Sequence, residues 1–207
     1  LAGVKKEISN LAAFLNLQIR RGETNTFQGK HYVFSGNPGT GKTTITGILA
    51  EHFRRENISC EFCAPTGRAA KRLSEASGMK ANTIHRLLLM NADDTEKVRF
   101  GRNRDNPIEA RVVVVDEASM MDTLVFGALL DAIGRNSSLI LIGDPDQLPS
   151  VGAGNILEDI LSCEAIPRVR LEYIFRQKDE SSIASNSCRI LKGEDPIGNE
   201  TDFSVLR

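Results

Sequence analysis

The chain has 207 residues, 41% of them hydrophobic and 26% charged, with a formal net charge of −1. That length suits one large domain, or one domain with small insertions, and the composition is ordinary for a globular protein. The near-neutral balance excludes a protein that holds nucleic acid by bulk positive charge, and no apolar run approaches the roughly 18 residues of a membrane span. Lys5, Lys6 and Glu7 interrupt the N-terminus early, against the shape of a signal peptide, so a cytoplasmic chain without membrane contact is expected. The first residue is Leu1, which suits an excerpt of a longer chain.

Residues 3–20 are expected to form an amphipathic helix, because Val4, Ile8, Leu11, Leu15 and Ile19 recur at three- and four-residue steps. Arg20-Arg21-Gly22 ends it, and a polar loop runs to Lys30. His31-Tyr32-Val33-Phe34-Ser35 reads as a short buried strand, and Thr44 to Glu56 as a helix with Ile45, Ile48, Leu49 and Phe53 on one face. Between them, Gly36-Asn37-Pro38-Gly39-Thr40-Gly41-Lys42-Thr43 fits the P-loop pattern G-x-x-x-x-G-K-[ST] at every fixed position, and Thr44 follows it. Phosphate is a dense anion, best held by backbone N–H groups turned inward at a helix N-terminus, and the glycines permit that close approach. Lys42 is expected to reach the β- and γ-phosphates of ATP, and the Thr43 hydroxyl to hold Mg²⁺.

A strand over Ile58–Cys63 comes next. Cys60-x-x-Cys63 falls on it without a second such pair, so a reduced core pair is expected rather than a metal or redox centre. In Ala64-Pro65-Thr66-Gly67-Arg68-Ala69-Ala70-Lys71-Arg72-Leu73, Thr66 suits a helix cap. Arg68, Lys71 and Arg72 set three cations on one turn and a half, which suits a nucleic-acid phosphate and equally a solvated helix face. Thr83 reads as another helix start, and a lone histidine such as His85 is more often structural than catalytic. Residues 91–110 are polar, with Val98-Arg99-Phe100-Gly101-Arg102 turning as a small hairpin or running as a solvated loop.

Val112-Val113-Val114-Val115 reads as a strand buried on both faces of a parallel sheet. Asp116-Glu117 at its C-terminal end stands where open α/β sheets bind ligands, in a Walker B arrangement. Asp116 is expected to hold Mg²⁺ and Glu117 to orient or deprotonate the attacking water. A helix over Asp122–Gly134 has Leu124, Leu129, Leu130 and Ile133 as its apolar members. Strand Ser138–Ile142 then runs into Gly143-Asp144-Pro145-Asp146-Gln147-Leu148-Pro149, where the Gln147 amide, held on a proline-bounded loop, can donate to a γ-phosphate or to water. A helix over Asn155–Cys163, a strand over Val169–Tyr173, the stretch Ile174-Phe175-Arg176-Gln177 and a last amphipathic helix with a loose tail complete the chain.

Two resemblances follow from these stretches. The lead-in from Gly3 to Gln18, with the P-loop words Phe34 to Thr44, resembles AAA+ ATPases of the rubisco-activating and sporulation K type over about the first quarter of the chain. The ordered set of the P-loop, Ala64–Ala70, Thr83–Leu88, Asp116–Met120, Gly143–Gly154 and Ile174–Gln177 resembles the RecD family of superfamily 1 DNA helicases, the alpha subunit of exodeoxyribonuclease V and its relatives, from about Tyr32 to Phe203. The AAA+ likeness has no account of the stretch from Asp144 to Gly154.

The RecD resemblance implies an α/β, parallel-sheet P-loop NTPase (RecA-like) domain with a small inserted hairpin or loop. The expected division is a lead-in helix over 1–25 and a RecA-like ATPase domain over 26–207, with the insertion at about 91–110. It implies an ATP-dependent DNA helicase or translocase motor in recombination or repair, moving 5′ to 3′ by family precedent. ATP and Mg²⁺ are the implied cofactors and single-stranded DNA the implied partner. Gly36, Asn37, Pro38, Gly39, Thr40, Gly41, Lys42, Thr43 and Thr44 would bind phosphates, with Mg²⁺ on Thr43 and Asp116. Gln147 would sense the γ-phosphate, Arg176 would stabilise the transferring phosphoryl group, and Gln18 would contact adenine. Pro65, Thr66, Arg68, Thr83 and His85 become candidates for lining single-stranded DNA, and Val98–Arg102 for a strand-separating hairpin. Such helicases close on ATP with a second RecA-like domain, which is expected to lie outside these 207 residues, and those serving an exonuclease keep nuclease and helicase partners in other subunits. On this reading the isolated domain binds nucleotide, hydrolyses it slowly and does not unwind DNA. An AAA+ remodelling ATPase acting on protein, and a non-enzymatic nucleotide-gated DNA-binding module, are the alternatives.

Overall fold

A computed structural model describes residues 31–37, 40–92, 98–163 and 166–171, with 186, 189–190 and 193–197 further on. The expected helix over 3–20, with Gln18, lies outside these residues, as do Pro38, Gly39, Ile174–Gln177 with Arg176, and most of the last helix. In chain order the elements are β1 (Tyr32–Gly36), α1 (Lys42–Arg55), β2 (Cys60–Ala64), α2 (Gly67–Ser77), β3 (Ala81–Thr83), α3 (Ile84–Leu87), β4 (Met90–Ala92) and β5 (Val98–Phe100). They continue with β6 (Val112–Val115), a 3₁₀ turn (Ala118–Met120), α4 (Thr123–Ala132), β7 (Ser138–Gly143), α5 (Ile156–Ser162) and β8 (Arg168–Leu171).

Six strands form one sheet in the order β3-β2-β6-β7-β1-β8, with every pairing parallel. A parallel sheet must be covered on both faces, and the strand sequences obey that demand. All four valines of β6 and all six residues of β7 are buried. Alternate residues serve opposite layers, as the two-residue strand period requires. Phe62, Val112, Val114, Ile140 and Ile142 pack with Ile45, Leu49, Phe53 and Leu73 of α1 and α2. Cys63, Val113, Val115, Leu139 and Leu141 pack with Ile84, Leu88, Val125, Leu129 and Leu157 on the other face.

Several expectations need correction. The helix expected over Asp122–Gly134 is α4, Thr123–Ala132; of its apolar members Leu129 is buried while Leu124 and Leu130 are exposed, and Val125, Leu129 and Ala132, spaced four and three apart, form the face that covers the sheet. The sequence suggested no strand at Ala81–Thr83, yet β3 extends the sheet beside β2. Val98–Arg102 does not turn on itself. Val98–Phe100 pairs antiparallel with Met90–Ala92, and Gly101 continues alongside Leu89, donating its N–H to the Leu89 carbonyl at 3.2 Å. A Cβ on Gly101 would stand 3.0 Å from that of Leu89, which is why the close approach takes glycine. The polar stretch also ends sooner than 110, because Ile108 and Ala110 are buried and Ile108 N–H bonds the Ala132 carbonyl at 2.8 Å. Finally, β8 starts at Arg168, one residue before the expected strand. The Cys60–Cys63 pair carries free thiols on β2, both pushed up by burial, Cys60 to about 11. Among the described residues no group of three or more His, Cys, Asp or Glu could hold a metal ion, and no helix is long and apolar enough to cross a membrane.

Candidate active site

Sheet order decides what can meet. The chain leaves β1 into α1 and returns to the sheet beyond β6, so β7 lies between the strand that carries the P-loop and the strand that carries Asp116. Ser35 pairs with Gly143 and Leu141 with Val115. The residues just past those ends, Gly36, Asp144 and Asp116, therefore emerge at one edge of the sheet, the C-terminal edge where such folds bind ligands.

The described part of the P-loop is tightly packed. Thr40 is 3% exposed, and its hydroxyl donates to the Asn37 carbonyl at 2.8 Å. A Cβ on Gly36 would stand 2.5 Å from the Thr40 Oγ1 and 2.8 Å from the Leu171 Cβ, so no larger residue fits between β1 and β8 there. Gly41, at φ 91°, lies in the left-handed region and turns the chain into α1. No side chain caps that helix, so its first N–H groups face the site. Lys42 folds back over the loop, donating to the Gly36 carbonyl at 2.5 Å and to Asp144 Oδ2 at 3.2 Å.

A cavity of about 880 Å³ opens over this helix start, and Lys42, Thr43, Asp116, Glu117 and Gln147 all line it. Asp116 Oδ1 accepts the Glu117 N–H at 2.9 Å. Burial raises the Asp116 carboxyl to about 6; the Glu117 N–H bond and the Lys42 charge pull it down, against further upward pressure from the Glu117 charge. Glu117 is held at φ 54°, a conformation that costs a side-chain-bearing residue about 1 kcal/mol or more and recurs at functional sites. Its Oε2 is buried without a hydrogen-bond partner. Glu117, with one buried and partnerless oxygen, and the desolvated Asp116 line one cavity together with Thr43, and this donor set fits a hard divalent cation and an ordered water; magnesium needs only one or two protein oxygens when phosphates complete its shell.

Other residues fall elsewhere. Pro65, Thr66 and Arg68 follow β2, and Thr83 and His85 follow or end β3, at the same edge of the sheet because Ala64 pairs with Thr83. Thr66 and Thr83 cap α2 and α3, accepting from the N–H groups of Ala69 and Arg86, both at 3.2 Å. Arg68 is exposed. Arg72 parts from the charges it was read with and lines the phosphate-side cavity together with Glu75. Asp144 was not singled out as a site residue; it is wholly buried and bonded to Lys42 and, at 3.4 Å, to Gln147 Nε2. Asp144 directly follows β7, but only the strand order, with β1 next to β7, brings it to Lys42.

Comparison with known proteins adds relatives to this geometry. A family model described as an AAA domain matches residues 20–204. The chain is 37% identical over 173 residues to the ATP-dependent RecD2 DNA helicase of Deinococcus radiodurans, covering 84% of this chain and 23% of that protein. It is 38% identical over 152 residues to the RecBCD enzyme subunit RecD of Mycolicibacterium smegmatis, covering 62% and 27%. It is 36% identical over 129 residues to the ATP-dependent DNA helicase dda of Enterobacteria phage T4, covering 60% and 29%. The chain thus spans 23%, 27% and 29% of the length of these three relatives. Among solved structures, Bacteroides Pif1 bound to single-stranded DNA superposes with a TM-score of 0.56 at 20% identity over 80% of this chain and 43% of that one, a likeness of fold.

Proposed function

The chain belongs to the AAA-domain family and is RecD-like in sequence, and from that premise we propose that it is the first motor domain of an ATP-dependent DNA helicase. The observation that carries the reading is the convergence of Lys42, Thr43, Asp116, Glu117 and Gln147, from three strand ends, on one cavity above the α1 N-terminus. Relatives named RecD2, RecD and dda support the helicase assignment. Residues 26–207 then form one RecA-like unit, preceded by a lead-in helix over 1–25.

In this reading the α1 N-terminus and Lys42 hold the phosphates of ATP. Thr43 and Asp116 would hold Mg²⁺, which supplies charge neutralisation on the phosphate oxygens when bound. Glu117 orients the attacking water and accepts its proton; its buried, partnerless oxygen is free to do so. Gln147 donates to the γ-phosphate or the water, and Arg176 stabilises the transferring phosphoryl group. Water attacks the γ-phosphorus in line, the bond to the β-γ bridging oxygen breaks, and ADP and phosphate leave. Gln18 contacts adenine. Pro65, Thr66, Arg68, Thr83 and His85 line single-stranded DNA at the neighbouring strand ends, and the β4–β5 pair serves as the strand-separating hairpin. Movement runs 5′ to 3′ and needs a second RecA-like domain, with nuclease and helicase subunits as partners where the motor serves an exonuclease.

The test is ATP turnover with and without single-stranded DNA, on the longest natural form of the chain, beside Glu117→Gln. Strong stimulation by DNA, abolished in Glu117→Gln, is the expected result. Turnover indifferent to DNA would overturn the helicase reading in favour of an ATPase that remodels protein.

A further inference from the structure

We propose that Asp144 is a positioning residue whose carboxylate competes with nucleotide phosphate for Lys42 and carries Gln147 on the same oxygen, so that the two side chains respond to phosphate as one unit. The proposal rests on the ATP-site reading above.

The Lys42 ammonium has three donors. One goes to the Gly36 carbonyl and one to Asp144 Oδ2, which stand level on neighbouring strands through the Ser35–Gly143 register. Asp144 is 0% exposed, and its Oδ1 accepts the Asp146 N–H at 3.1 Å, which fixes the rotation of the carboxylate. Oδ2 is thereby aimed at two groups at once, Lys42 Nζ at 3.2 Å and Gln147 Nε2 at 3.4 Å. A buried carboxylate is costly unless paired with a cation, and Lys42 is the cation paired with it among the described residues.

Two consequences follow. Drawing Lys42 onto a phosphate strips Asp144 of its counter-charge, so Asp144 weakens ground-state binding of nucleotide. The same movement leaves Gln147 as the remaining side-chain donor on Oδ2, so the amide is seated differently according to where Lys42 stands. The loop beginning at Pro145 therefore senses whether Lys42 is on phosphate, through a buried carboxylate and not through the nucleotide alone.

Asp144→Asn keeps the size of the side chain and an acceptor for the Asp146 N–H while removing the charge. On the longest natural form of the chain, without DNA, it should tighten binding of a fluorescent ADP by about fivefold or more, the lower end of ordinary coupling between sites. In turnover it should lower both KM and kcat, and its effect on kcat should disappear on a Gln147→Ala background. Unchanged or weaker ADP binding, or a kcat loss of full size on that background, would overturn the proposal. A stability cycle tests the pair without nucleotide. Lys42→Met should lower the thermal midpoint in the wild-type chain and much less beside Asp144→Asn, and equal losses would again overturn it. A wild-type chain that binds no ADP would instead refute the ATP-site reading itself.

Discussion

Asp116 and Asp144 are both carboxylates at strand ends, yet the fold treats them differently. Asp144 has Lys42 on its oxygen, whereas Asp116 is desolvated and rises to about 6. A carboxyl whose folded pKa lies above its unfolded value binds protons more readily in the native state. Its contribution to stability therefore falls as pH rises from about 4 to about 6 and stays low above that. Asp116→Asn removes the cost of burying the charge. In magnesium-free protein it should raise stability at pH 8 by up to about 3 kcal/mol, with little change at pH 3.5, while abolishing ATP turnover. Thermal unfolding at the two pH values checks both signs, and equal effects at both would refute the assignment of the cost to burial. At this scale the sequence was legible where chemistry needs residues at fixed local spacing, as in Gly36–Thr43 and Asp116-Glu117. It was silent on Asp144 because the partner of that residue is 102 positions away and meets it through strand register alone.

Thr66 and Thr83 show the same division one level up. Each is a candidate for DNA contact by position and a helix cap by observed hydrogen bond. A cap contributes about 1 kcal/mol, so Thr66→Ala should lower stability by that amount through α2 whatever DNA does. Arg68 is exposed on the first turn of the same helix, so Arg68→Ala should leave the unfolding midpoint unchanged and reduce the stimulation of ATP turnover by single-stranded DNA. Unfolding curves for the two variants, beside turnover at several salt concentrations, separate the roles. A loss of DNA stimulation in Thr66→Ala alone would assign the contact to the threonine. The caps could be read because Thr66 and Thr83 precede helical sequence directly. The strand β3 could not, since Ala-Asn-Thr is too short to show a two-residue period, and it becomes a strand by lying against β2. The inward face of α4 could not be read for a related reason: in Leu124-Val125-Phe126 the neighbour that points inward depends on where the sheet lies, and Val125 is the one that faces it.

Across the whole molecule, β7 is the strand through which the two halves of the site are joined. Ile140 pairs with Tyr32 on the P-loop strand and with Val114 on the Asp116 strand, and it is fully buried with both in one core layer. Any relaxation at Ile140 shifts Gly36 and Asp116 relative to each other, whereas β8, at the sheet edge, pairs with β1 alone among the described strands. Ile140→Ala should therefore cost about 2–5 kcal/mol of stability and also weaken nucleotide binding in the fraction that remains folded. Val169→Ala, on a residue 41% exposed on β8, should stay within about 0.5 kcal/mol and leave binding intact. Denaturant unfolding, with ADP titration in buffer where both variants are folded, measures the two quantities separately. If Ile140→Ala bound ADP as the wild type does while losing the full stability, β7 would be only core, and the geometry of the site would have to be held by the P-loop and the Asp116 turn on their own.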